Sequence, residues 1–82
     1  MRYEIQYKPQ ATRDLEGLAP PVRRRILNKL DALRNDLAGD VKRLVQYEPS
    51  LRLRVGDWRV LFEVTGSVIV VWRVVHRSEA YD

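Results

Sequence analysis

The stretch LRLRVGDWRVLFEV, residues 51–64, constrains this chain more than any other. Leu51, Leu53 and Val55 alternate with Arg52 and Arg54. After Gly56-Asp57 the alternation resumes through Trp58, Val60, Phe62 and Val64, with Arg59 in the opposite phase. A period of two indicates strands, and two such strands joined by two turn residues indicate a hairpin. Gly at the first central position suits a type II′ turn, which needs a positive φ there. The register follows: Val55 opposite Trp58, Arg54 opposite Arg59, Leu53 opposite Val60. Two guanidiniums then face one another with Cβ atoms about 5 Å apart, a like-charge pair that costs roughly 1–3 kcal/mol depending on how dry the face is. Either the arginine stems splay into water over a solvated face, or the arginines are placed for phosphate.

The rest of the chain supplies a frame for this hairpin. Its 82 residues suffice for one domain, 1–82, small enough that every apolar stripe is needed for the core. RYEIQY alternates Tyr3, Ile5 and Tyr7 against Glu4 and Gln6, a short first strand. Pro9 opens a helix carrying Ala11, Leu15 and Leu18 on one stripe, with Gly17 near its end. A second helix is predicted from about Pro21, with Val22, Ile26, Leu30, Leu33 and Leu37 on one face, until Gly39 stops it. The β-rich run VIVVWRVVHR supplies a last strand. The fold class is α+β: an N-terminal strand, an α-helical hairpin, then a C-terminal antiparallel meander, forming a small twisted sheet with the helices on one face.

The loop after Val64 decides which residues of the last strand face the core. A three-residue loop, Thr65-Gly66-Ser67, pairs Val64 with Val68, Phe62 with Val70 and Val60 with Trp72. Both tryptophans and Phe62 then meet the helices, and Arg73 and Arg77 join Arg52, Arg54 and Arg59 on the opposite face. A two-residue loop would shift the strand by one and turn Arg73 into the core. In the three-residue register Leu61, Ile69 and Val71 fall among the arginines, where something must cover them. An amphipathic or acidic partner segment is the expected cover.

Composition narrows the chemistry. Fifteen Lys+Arg against eleven Asp+Glu give a net charge of +4, and twelve of the fifteen are arginine, the residue suited to bidentate phosphate contacts. There is no cysteine, which excludes disulfide frameworks and thiolate metal sites. No clustered Asp/Glu/His spacing suggests a metal or a cofactor. No signal peptide or bilayer-spanning apolar run is present, so no membrane association is expected and the cytoplasm is the expected location.

RLRVGDWRVLFEV, the terminal VHRSEAY and the upstream GDVKRL together resemble the RelE/ParE superfamily of type II toxins, over nearly the whole chain. The resemblance implies a small α/β unit with a largely antiparallel sheet and a helical hairpin on one face. RelE-like members cleave messenger RNA in the ribosomal A site, ParE-like members poison DNA gyrase, and a cognate antitoxin holds either inactive. By resemblance the catalytic set is Arg52, Arg54, Arg59, Arg77 and Tyr81, with arginine at 52 and 54 where RelE-type enzymes often carry lysine. Lys42 and Arg43 of GDVKRL, Arg23 and Arg24 of the second helix, and Arg73 are candidate contacts to messenger RNA and to 16S ribosomal RNA around the A site.

Metal-free RNA cleavage requires in-line attack of a 2′-hydroxyl on the adjacent phosphate, leaving a 2′,3′-cyclic phosphate and a 5′-hydroxyl. That reaction needs stabilisation of phosphoryl charge, a base and an acid. Arginine supplies the first but not a base, since its pKa exceeds about 12. The titratable candidates are Tyr81, His76 and Glu79. Tyr81 gains from nearby positive charge, which favours the phenolate; otherwise it is a frayed terminal residue. His76 alternates away from Arg77 and is expected to be structural. Trp58 and Trp72, potential base-stacking groups, are assigned to the core. A noncatalytic basic nucleic-acid-binding module remains the third alternative, beside the endoribonuclease and the gyrase inhibitor.

Overall fold

The protein is described from a computed structural model in which residues 1–80 can be placed. Tyr81 and Asp82 lie outside the described residues. Strand β1 (Glu4–Tyr7) is followed by helices α1 (Pro9–Glu16) and α2 (Pro20–Leu33). Strands β2 (Val41–Arg43), β3 (Leu51–Val55), β4 (Trp58–Thr65) and β5 (Val68–His76) complete the sheet, and a short 3-10 turn (Arg77–Glu79) follows. The strand order is β1-β5-β4-β3-β2, with β1 parallel to β5 and every other pair antiparallel.

The helices cover one face. Ala11, Leu15, Ile26, Leu30 and Leu33 pack with Leu53, Val55, Val60, Phe62, Ile69, Val71 and Val74 in one buried cluster. Pro9 stands in the first turn of α1, where its missing N–H has no intrahelical acceptor to lose, and Gly17 closes that helix. The second helix is shorter than its apolar periodicity predicts, ending at Leu33 rather than near Gly39. Asp36 and Leu37 have φ of 55° and 59°, a left-handed conformation that no helix continues through. The backbone there is used by the N-terminus instead: Tyr3 N–H donates to the Arg34 carbonyl and Asp36 N–H to that of Met1. Leu37 still packs against the core, so its apolar periodicity was real although its helix was not.

The β3–β4 hairpin has the predicted register, with Val55 opposite Trp58, Arg54 opposite Arg59 and Leu53 opposite Val60. Of its two turn residues only Gly56 has a positive φ, 60°. The β4–β5 connection departs from expectation. Thr65 pairs with Val68 across a two-residue turn, so Val64 faces Ile69 and Phe62 faces Val71. Ile69 and Val71 therefore belong to the helix-side core and not to the arginine face. A β-bulge then resets the phase: beyond Phe62–Val71 the next pair is Leu61–Arg73, leaving Trp72 as the extra residue. The loop and the bulge offset each other, so Arg73 escapes the core after all, whereas Trp72 leaves it. Its ring lies beneath Lys8 Nζ, 3.8 Å from the centroid, on none of the buried cluster's surface. Trp58 packs on the edge of the core as expected.

Candidate nucleic-acid interface

The registers fix what stands on the sheet face away from the helices. One cross-strand row reads Lys42, Arg52, Leu61, Arg73, and the next reads Arg54, Arg59, Val75. Leu61 is 3% exposed and Val75 8%, although neither is part of the helix-side cluster. The chain covers them itself, and no partner segment is needed for that purpose. Tyr47 lies near enough to Arg73 to act on its charge, which brings the loop after β2 in from the far edge of the sheet.

The arginines are not equivalent. Arg52 is largely buried, its side chain 12% exposed, and its Nη1 donates to the Asp40 carbonyl and carboxylate at 2.8 and 3.1 Å. Its Nε is buried without an acceptor among the described residues. Arg73 forms a two-pronged ion pair with Asp14 of α1, from Nε to Oδ2 at 2.8 Å and from Nη2 to Oδ1 at 3.3 Å. Asp14 Oδ2 also accepts the Val74 N–H at 2.9 Å, an edge donor exposed because β1 ends opposite Val71. Burial alone would push the Asp14 carboxyl up. The hydrogen bonds from Arg73, Val74 and Gln10, with the Arg73 charge, outweigh that and hold it below the usual carboxylate range. The same bond raises Arg73.

Arg54, Arg59 and Arg77 gather at the other end, around the Gly56–Asp57 turn. Arg54 and Arg59 face each other where the ladder leaves Arg54 N–H free to donate to Asp40 across β2, which marks the more closely spaced class of antiparallel pair. Their repulsion is relieved because Arg59 folds back: its Nη1 donates to the Gly56 and Trp58 carbonyls at 2.8 and 2.9 Å. The Arg77 N–H donates to the Asp57 carbonyl at 2.8 Å, and its Nε stands 3.8 Å from Asp57 Oδ1. Arg54 has no side-chain acceptor among the described residues. His76 sits at this end too, edge-on to Trp58 with ring centroids 5.3 Å apart. Its Nδ1 accepts the Ser78 N–H at 3.3 Å and lies 3.0 Å from Ser78 Oγ, a set of contacts consistent with a positioning role.

The remaining candidates are scattered. Arg24, Lys42 and Arg43 are exposed and Arg23 half-buried. Lys42 continues the Arg52 row, Arg43 points the other way along β2, and Arg23 and Arg24 lie on α2 across the sheet. Sequence reasoning passed over three residues that shape the site: Asp14 and Asp40, which tie down Arg73 and Arg52, and Lys8 over Trp72. The Arg25 guanidinium lies against Gly56, with Nη1, Nη2 and Cζ 2.9, 3.1 and 3.2 Å from where a Cβ on that glycine would stand. Arg25 belongs to the basic run VRRR, residues 22–25, whose charge suggests contact with ribosomal RNA phosphate but not a place at the hairpin tip.

Comparison with known proteins completes the description. Residues 5–81 match the family model described as ParE toxin of type II toxin-antitoxin system, parDE. The chain is 35% identical to Toxin RelE3 of Methanocaldococcus jannaschii over 96% of both chains. It belongs to the RelE/ParE toxin superfamily. The fold agrees: the RelB-RelE antitoxin-toxin complex from Methanococcus jannaschii holds a chain 30% identical, with a TM-score of 0.75 over 93% of this chain and 94% of that one. The archaeal RelE-RelB complex from Pyrococcus horikoshii OT3 gives 27% identity and a TM-score of 0.79 over 98% and 100%. Like these RelE/ParE-type folds, this one carries two helices on one face of a five-stranded mixed sheet. No helix among the described residues is long and apolar enough to cross a membrane.

Proposed function

We propose that this toxin is a RelE-like endoribonuclease that cleaves messenger RNA in the ribosomal A site and acts in the cytoplasm. The observation that carries the reading is the convergence of Arg59 and Arg77 on the Gly56–Asp57 turn beside Arg54, whose side chain has no acceptor among the described residues. Arg54 and Arg59 stabilise the negative charge that develops on the phosphoryl oxygens as the 2′-hydroxyl attacks. Arg77 holds the substrate phosphate from the third side. Tyr81, four residues after Arg77 in the sequence, takes the 2′-hydroxyl proton. The leaving 5′-oxygen is protonated by solvent or by His76, whose Nε2 has no hydrogen-bond partner among the described residues. Arg52 contributes once Asp40 is displaced, and Lys42, Arg43, Arg23, Arg24 and Arg73 supply longer-range attraction to ribosomal RNA.

The ParE-like reading, inhibition of DNA gyrase without chemistry, is favoured by the family model that matches 5–81. Mapping messenger RNA ends on programmed ribosomes, with gyrase supercoiling measured in parallel, separates the two. New ends with unimpaired supercoiling support the endoribonuclease; the reverse supports the gyrase inhibitor.

A cognate antitoxin is the second partner, as in the RelB-RelE complexes. Its apolar anchor does not fall on Leu61 and Val71, which the chain buries by itself. It falls on a cleft of about 440 Å³ lined by Glu4, Ile5, Tyr7, Leu27, Asp31 and Arg34, beside edge strand β1. Tyr7 and Leu27 there are 38% and 40% exposed, and an extended segment pairing with β1 would cover both.

A further inference from the structure

The Arg25 guanidinium occupies the space that the missing side chain of Gly56 leaves open, since any Cβ there would meet its Nη1 at 2.9 Å. Gly56 is required for its φ of 60°, and its missing side chain leaves the room that the movable end of Arg25 takes up. Arg25 approaches from α2, while Arg59 reaches the same residue from β4 through the Gly56 carbonyl at 2.8 Å. Across a single residue the two guanidiniums come within roughly 9 Å of each other, given ordinary backbone dimensions. Arg77, bound to Asp57, closes the group. Three arginines from three elements therefore surround a two-residue turn that offers one carboxylate, and that carboxylate is engaged by Arg77.

Like Arg54, Arg25 is placed without being satisfied. Arg52 donates to Asp40, Arg59 to two carbonyls, Arg73 to Asp14, and Arg77 stands beside Asp57. Arg25 has no acceptor among the described residues, yet its plane is fitted against the turn. A cation held in position with its donors free is a preorganised anion site, because neither reorientation nor breaking of an internal bond precedes ligand contact. A helix-borne arginine serving only solubility would have no reason to lie on the hairpin tip.

We infer that Arg25 binds a second phosphate of single-stranded RNA, the one flanking the phosphate held by Arg54 and Arg59, and so fixes the strand's path around the hairpin tip. The inference rests on the endoribonuclease reading for its ligand class but not on cleavage. The substrate backbone would run from the arginine face over Gly56 toward α2. Bidentate contact suits a guanidinium presented in this way.

The test is equilibrium binding of a short, fully 2′-O-methylated RNA, which cannot be cleaved, followed by fluorescence anisotropy across a salt series. Each phosphate contact to a single strand contributes about 0.7 to the slope of log affinity against log salt. Arg25→Gln is expected to lower that slope by about 0.7 and to weaken binding about fivefold at 0.1 M salt, the counterion share of one contact. Arg25→Lys restores the slope, because the charge returns. Lys29→Gln, which removes a positive charge one helical turn further along α2, leaves the slope at the parent value. An unchanged slope in Arg25→Gln accompanied by a lower urea midpoint would make Arg25 a structural staple and overturn the proposal. An equal loss of slope in Lys29→Gln would also overturn it, by showing that only bulk charge matters. Ribosomal cleavage is read elsewhere, so failure of the endoribonuclease reading would not be mistaken for failure of this contact.

Discussion

Arg54 and Arg59 occupy directly opposed positions, and the structure shows how the hairpin tolerates them: one guanidinium folds onto turn carbonyls while the other has no acceptor among the described residues. Their replacements should therefore differ. Arg54→Gln removes one of two like charges and no described hydrogen bond, so urea unfolding should show stability level or higher by up to about 1 kcal/mol at low salt. Arg59→Gln loses two donations to carbonyls and should be less stable by about 1 kcal/mol. Both should cut ribosome-dependent cleavage by about a hundredfold or more, the usual cost of one preorganised charge-stabilising donor. Normal cleavage in both variants would return these residues to a solvated face. Tyr81→Phe is expected to slow cleavage while leaving ribosome binding near the parent level, since it removes a proton-transfer group and no positive charge. Should its cleavage rate equal the parent's, His76→Ala becomes the variant that identifies the base.

At the scale of elements, the exposed edge of β5 explains most of what could not be read in advance. Strand β1 pairs only as far as Val71, and beyond it the bulge at Trp72 and the Asp14 carboxylate take over. Periodicity could not reveal a bulge, because a strand of near-continuous apolar residues looks alike in either phase. Asp14 could not be paired with Arg73 from sequence either, being 59 positions away on a helix. Its lowered pKa gives a pH test with a definite sign. A carboxyl held below its unfolded value adds stability above about pH 4, and that stability disappears as the pH falls through the folded value. Asp14→Ala should cost about 1–3 kcal/mol at pH 7, chiefly by stranding Arg73 and the Val74 N–H. The gap to the parent should narrow in urea titrations carried below about pH 4. A gap that stays constant from pH 7 to pH 3 would show that the carboxylate charge is not what matters.

For the molecule as a whole, sequence and structure agree where local rules dominate. The hairpin register followed from alternation and one glycine, and the helix stripes from Ala11, Leu15, Ile26, Leu30 and Leu33. They part where distant groups intervene. The end of α2 is set by the N-terminal strand, the cover over Leu61 by the chain's own loops, and the Arg25 contact by the approach of α2 to Gly56. The burial of Leu61 and Val71 also moves the expected antitoxin anchor to the cleft beside β1. Hydrogen exchange of the toxin with its antitoxin should protect β1 and the Leu27 turn of α2. Protection confined to β3 and β4 would return the anchor to the arginine face.

If the arginines around Gly56–Asp57 form a phosphoryl-transfer site, the chemistry of the product reveals it. Purified toxin is added to ribosomes holding a defined messenger RNA, and the ends produced are identified. Cleavage is expected within the A-site codon, with a 5′-hydroxyl on one fragment and a 2′,3′-cyclic phosphate on the other, without added metal, and both ends are expected to be lost with Arg54→Gln or Arg59→Gln. Intact messenger RNA together with arrested gyrase supercoiling would contradict it.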